Sequence, residues 1–228
     1  MNKLLLMLRL QQKLNDATNG IGWENGVTKD GKTINWRRCI YMESAEMIDS
    51  FGWKHWKSIS QPTDYENLQI EVVDVWHFIM SLIIEIESQS GSKNHEAMAM
   101  AISQSSGYET LLKSTKEFAE DIFLMEKIES VMRGSLLDPT GRTLESLVED
   151  FFVLTAMSGL DLDDLYRLYV GKNILNQFRQ DNGYKEGTYI KVWNGLEDNA
   201  VMKKGWEENP QMSPEELYAT LEMAYPKD

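Results

Sequence analysis

Apolar residues recur along this chain at intervals of three and four, the spacing of one helical face, and no stretch alternates convincingly as a strand would. Leu4, Leu8 and Leu14 mark a first helix over 2–15. Turn signals (Asn19-Gly20, Asn25-Gly26, Asp30-Gly31) make 16–35 a loop. A second helix is predicted over 36–51, stopped by Gly52, and a third over 64–89 after Pro62. Ser88-Gln89-Ser90-Gly91-Ser92 reads as a small linker, so a lobe boundary is expected near 88–93. Helical spacing continues over 94–105, 109–132, 143–157 and 161–180, with a turn at Asp138-Pro139-Thr140-Gly141. Residues 181–199 read as loop, and Ser213-Pro214-Glu215-Glu216 carries the signals of a helix start. No internal repeat is evident, and the class is all-α.

Composition narrows the function classes. In 228 residues there are 36 acidic against 23 basic side chains, a formal charge of −13, which disfavours non-specific nucleic-acid binding. The apolar start, Leu4-Leu5-Leu6-Met7-Leu8, is short and interrupted by Arg9, so it reads as a core helix rather than a leader. The run from Ile70 to Ile84 contains Glu71 and Asp74 and is no membrane span. A single cysteine, Cys39, excludes an internal disulfide and a four-cysteine zinc site and suits a reducing, cytoplasmic setting. It reads as a small buried hydrophobe, with a lowered-pKa thiol beside Arg37-Arg38 as the alternative.

Two acidic pairs carry the candidate chemistry. Glu43 and Glu46 stand three apart on the second helix, and Glu71 and Asp74 stand three apart on the third, so each pair shares a helical face. A solvated acidic face is the plain reading. The third helix, however, is apolar nearly all round (Val72, Val75, Trp76, Ile79, Leu82), so Glu71 and Asp74 are expected inside the protein. A buried carboxylate is then neutralised by protonation, by a basic partner or by a divalent cation. No Lys or Arg lies between Lys57 and Lys93. Hard carboxylate oxygens select Mg²⁺, with Mn²⁺ as a substitute.

Further along, Lys172, Asn176 and Arg179 follow i, i+4, i+7 spacing. They fall in a stretch, 167–191, that holds five basic residues against two acids. This is either a solvated basic face or a phosphate clamp, with Arg179 as a fork and Lys172 as a point charge. The loop at 182–187, with Tyr184 between two glycines, could close over a ligand. Trp53, His55 and Trp56 are either core or a stacking surface for a base. His77 reads as a hydrogen-bonded core histidine rather than a ligand, and Gln11 and Asn15 as surface residues or as partners for a pyrimidine edge.

The E-x-x-E and E-x-x-D pairs resemble the all-α nucleoside triphosphate pyrophosphatase superfamily. The flanking segments sharpen this: Leu10-Gln11-Gln12-Lys13-Leu14-Asn15, Trp36-Arg37-Arg38-Cys39, Trp53-Lys54-His55-Trp56-Lys57, Gly171-Lys172-Asn173 and Trp193-Asn194-Gly195-Leu196-Glu197-Asp198-Asn199 look like those of the dimeric dUTPases of bacteria, phages and kinetoplastids. The resemblance covers 8–80 and 165–200; residues 90–160 and the last 28 match no motif. It implies a rigid helical lobe with a mobile one, a homodimer, Mg²⁺, and cleavage of dUTP and dUDP to dUMP. Glu43, Glu46, Glu71 and Asp74 would be the metal ligands, with Glu43 (or Glu46) as the base for the attacking water. Gln11 and Asn15 would face uracil and sugar, and Trp53 and His55 would line the base pocket, although related members have tryptophan at position 55. Lys172, Asn176, Arg179, Tyr184, Lys191 and Asn199 would hold phosphates, sugar or the closed lobe. A sibling pyrophosphatase with another base preference, or a phage-type protein with an added regulator-binding role, are the alternatives.

Overall fold

In a computed structural model, described over residues 2–57, 61–139, 141–209 and 212–226, the chain is all-α. The described residues form ten α-helices: α1 Asn2–Asn19, α2 Trp36–Asp49, α3 Tyr65–Gln89, α4 His95–Ser103, α5 Ser106–Leu112, α6 Asp121–Leu136, α7 Arg142–Met157, α8 Leu162–Asp181, α9 Asp198–Glu208 and α10 Pro214–Ala224. A two-stranded hairpin, β1 Val192–Trp193 and β2 Leu196–Glu197, precedes α9. No helix among the described residues is long and apolar enough to cross a membrane.

The helix starts follow local chemistry. Asn35 caps α2 by accepting from the Arg38 amide at 2.9 Å, and Asp64 caps α3 by accepting from the Asn67 amide at 2.9 Å. Ser213 and Glu216 close a reciprocal capping box on α10, where Pro214 needs no amide partner.

Two compact units divide the chain, Met1–Leu165 and Tyr166–Asp228. The division falls within α8, whereas 88–93 is the turn between α3 and α4, inside the first unit. In that unit α2 packs on α3 and α6, α7 packs on α5 and α6, and α1 packs on α3 and α4. Val72, Val75, Trp76, Ile79 and Met80 of α3 are wholly enclosed. Trp76 lies stacked at 5.0 Å on Phe151 of α7. In the second unit Phe178 of α8 meets the rings of Trp193, Tyr218 and Tyr225 at 5.3–5.6 Å.

The structure departs from two sequence expectations and adds a helix that the sequence reading did not include. The helix expected over 109–132 is broken at 113–120. There Lys116 takes a φ of 61° and its ammonium bridges Asp161 and Asp164 at 2.9 and 2.8 Å, while Phe118 pairs by backbone with Ser158. Residues 181–199, expected as loop, contain the hairpin: Asn194 and Gly195, with φ of 50° and 86°, form a tight turn of the kind that joins two short strands. Helix α9 escapes periodicity because its buried stripe is Asp198, Met202 and Gly205, of which only one is a large apolar residue. The turn expected at 138–141 includes Thr140, which lies outside the described residues.

Candidate metal centre and nucleotide-binding residues

Ile40, Ser44 and Met47 are the fully buried stripe of α2, and Ser44 spends its hydroxyl on the Ile40 carbonyl at 2.7 Å. With that stripe turned inward, Glu43 and Glu46 are left on the flank of the helix. Across from them α3 presents Glu71. One carboxylate oxygen from each of Glu43, Glu46 and Glu71 lies within 4.8 Å of the others. Glu46 is exposed, Glu43 half-buried and Glu71 the most enclosed of the three. Asp74, one turn further along α3, is half-buried and stands outside this close group.

Of the two acids expected inside the protein, Glu71 is the enclosed one and Asp74 is half-buried. Helix α3 is apolar around most of its circumference, but Asp74, Phe78 and Glu85 are only partly covered. Mutual repulsion adds to the cost of enclosing Glu71. Two carboxylates about 5 Å apart repel by roughly 3 kcal/mol at an effective dielectric near 20. A set of hard, convergent oxygens with part of its surface open fits Mg²⁺ or Mn²⁺, which keep water or substrate oxygens in their remaining positions. Cys39, one turn before Glu43, is a poor nucleophile: burial raises its thiol pKa and the charge of Glu43 raises it further, against Arg38.

Gln11 and Asn15 are not on the surface. They are 2% and 4% exposed and join Ser81 and His77 of α3 in a buried polar cluster. Ser81 accepts from Gln11 Nε2 at 3.1 Å and from Asn15 Nδ2 at 2.9 Å, and His77 Nδ1 meets Gln11 Oε1 at 2.7 Å. His77 is thus the hydrogen-bonded core histidine that its apolar helix suggested. Trp53 and His55 lie instead in the exposed turn after α2. Trp56 packs edge-on to both, at 5.4 Å from Trp53 and 5.1 Å from His55. Asp49 accepts from Trp53 Nε1 and Lys54 Nζ, and an open cleft of about 600 Å³ lies between Asp49, Phe51, Lys54 and Trp56.

The second unit gathers most of the basic candidates around a residue that sequence reasoning passed over. Asp198 is fully buried and accepts both arms of the Arg179 guanidinium, Nε and Nη2, at 2.8 Å each. It also accepts from the Tyr189 hydroxyl and the Asn199 amide, each at 2.8 Å. Arg179 Nη1 donates to Asn176, Lys172 donates to Asn199 Oδ1 at 2.8 Å, and the guanidinium sits 5.9 Å from the Tyr184 ring. Lys191 is exposed, 3.6 Å from Glu197. Burial pushes the Asp198 carboxyl up, but the hydrogen bonds and charge of Arg179, with Tyr189 and Lys172, outweigh it and hold the group below its usual range. The same carboxylate, after burial, drives the Tyr189 phenol upward. The fork of Arg179 is therefore engaged by Asp198 and not presented whole to a phosphate. Asp198 was legible only as part of the segment Glu197-Asp198-Asn199; its burial and its fit to Arg179 come from the fold.

Comparison with known proteins found no match among curated proteins. The protein family described as dUTPase matches residues 3–184, a span that takes in the three clustered carboxylates, the Gln11–His77 cluster and most of the basic candidates. With most of its length inside that match, the chain belongs to the dUTPase family and is a dUTP-hydrolysing enzyme.

Proposed function

We propose that the enzyme cleaves dUTP, and also dUDP, to dUMP with Mg²⁺ held by Glu43, Glu46 and Glu71, and with Asp74 completing the set. The observation that carries this reading is the approach of three carboxylates from two packed helices to within 4.8 Å. Bound there, Mg²⁺ supplies phosphate-charge neutralisation and a more acidic water. Glu43, half-buried beside the more exposed Glu46, accepts the proton of the attacking water. Lys172 acts as a point charge for the phosphates, and Arg179, anchored by Asp198, keeps Asn176 and Tyr184 in order. Chemistry of this kind is positioning plus electrostatics, without a covalent intermediate. Gln11 and Asn15 meet the uracil edge, and Trp53 and His55 flank the base. The homodimer and the cytoplasmic setting are proposed with the family and with the lone thiol of Cys39.

A panel of dUTP, dUDP, dTTP, dCTP and UTP, each with Mg²⁺ and with chelator, tests the reading. Mg²⁺-dependent release of dUMP from dUTP and dUDP is expected. Equal turnover of dCTP or dTTP would point to a sibling pyrophosphatase, and activity undiminished by chelator would remove the carboxylate site from the reaction.

A further inference from the structure

Ser81 is wholly buried and has one proton to give. That proton goes to the His77 carbonyl, one turn back on α3, at 2.8 Å. Its oxygen can then only accept, and it accepts from Gln11 Nε2 at 3.1 Å and from Asn15 Nδ2 at 2.9 Å. Both amides must therefore turn their nitrogens toward Ser81. Turned the other way, two carbonyl oxygens would face a hydroxyl with a single hydrogen, which could serve only one of them and only by leaving the His77 carbonyl.

The rest of the cluster follows from this orientation. Gln11 gives its second Nε2 hydrogen to Asn15 Oδ1 at 3.2 Å. Its Oε1 faces His77 Nδ1 at 2.7 Å, so Nδ1 must carry the hydrogen. An alternative cluster is conceivable in which both amides rotate together and His77 moves its proton to Nε2. Ser81 opposes it, because its oxygen is placed to accept from both amides.

That rotation matters for base choice. Within the cluster Asn15 uses one Nδ2 hydrogen and one Oδ1 lone pair, leaving an amide edge that holds one donor and one acceptor. Uracil offers an N3 hydrogen beside the O4 acceptor. Cytosine offers a bare N3 beside an amino donor, the same positions with the polarity reversed. An amide that fits one edge fits the other after a half-turn.

We propose that Ser81 is a specificity-determining positioning residue: by fixing the amide orientation of Gln11 and Asn15, it makes the enzyme prefer uracil to cytosine. The proposal rests on the dUTP reading, with Asn15 at the base edge.

The test compares the ratio of kcat/KM for dUTP to that for dCTP in wild type and in Ser81→Ala. This ratio is independent of the folded fraction, so a partly folded variant still reports. We expect the ratio to fall by about tenfold or more, the worth of one neutral hydrogen bond, and Ser81→Thr, which keeps the hydroxyl, to restore it. A ratio within twofold of wild type overturns the proposal. A second measurement needs no variant: nitrogen NMR of the His77 imidazole in the wild-type protein above neutral pH. The hydrogen is expected on Nδ1, and a hydrogen on Nε2 overturns the orientation lock. A wild type inert toward dUTP refutes the functional reading and with it the specificity role, while the NMR result still decides the lock.

Discussion

Replacing Glu71 with Gln should make the metal-free protein more stable and the metal-loaded protein less responsive. Glu71 shares a 4.8 Å group with Glu43 and Glu46, and all three carry like charge. One such pair at that distance repels by roughly 3 kcal/mol at an effective dielectric near 20; screening by water at the exposed Glu46 and the open rim reduces the relief to about 1–3 kcal/mol. For a chain of this length each kcal/mol moves the midpoint by about 2–4 °C, so in chelator Glu71→Gln should melt several degrees above wild type. A cation at 100 times its Kd adds about 2.7 kcal/mol to the protein that binds it. Wild type should gain most of that on adding Mg²⁺, and the variant little at the same concentration. Thermal unfolding followed by circular dichroism, in chelator and across a Mg²⁺ series, reads both effects, and dUTP turnover should fall by orders of magnitude. A variant that melts below wild type in chelator, yet shows the full Mg²⁺ rise, would refute the reasoning. Glu71 would then be stabilising through its contacts in the protein rather than waiting on a cation.

Asp198→Asn breaks a fully buried charged fork and should cost about 3–5 kcal/mol in urea unfolding. Because the folded carboxyl titrates below its unfolded value, this stability is present above about pH 4 and disappears as pH falls through the lower folded value, so the gap from wild type should close only in acid. Glu85 behaves oppositely: burial lifts it from 4.5 to about 7, its ionised form is the penalised one, and stability should fall as pH rises between those values. Glu85→Gln should therefore be more stable than wild type at pH 8, by about 1–2 kcal/mol after solvent screening, and equal to it at pH 4; urea midpoints that change in parallel at both pH values would contradict this. At Gly107 a Cβ would stand 2.4 Å from the Glu149 carbonyl oxygen and 2.8 Å from its Cα, so Gly107→Ala must push α5 off α7, with a midpoint drop equivalent to about 1–3 kcal/mol or more. An unchanged midpoint would mean that the two helices are free to separate.

Part of the candidate site follows from sequence spacing alone. The E-x-x-E spacing places Glu43 and Glu46 on one face whatever else the helix does, since three residues are close to one helical turn. What spacing cannot supply is the third dimension. That Glu71 joins this pair while Asp74 stands outside depends on how α3 is turned against α2, and that is set by which of its many apolar residues find partners in α1 and α7. Where a helix is apolar on nearly every side, sequence does not reveal which side faces outward. This is why full burial of Asp74 was expected and partial exposure found.

Local rules determined the caps at Asn35, Asp64 and Ser213, the chain-reversing turn at Asn194-Gly195, the all-α class and the acidic pairs, because each of these depends on neighbours within about one helical turn. Tertiary structure alone decided the rest. The break at 113–120 follows from Lys116 reaching Asp161 and Asp164; the capture of Arg179 follows from a carboxylate 19 residues away. Ser81 acquired its place between two amides contributed by α1. A polar side chain changes meaning once it is enclosed, since a hydrogen bond that water would have made must then be supplied by a particular partner. The identity of that partner is a property of the folded chain.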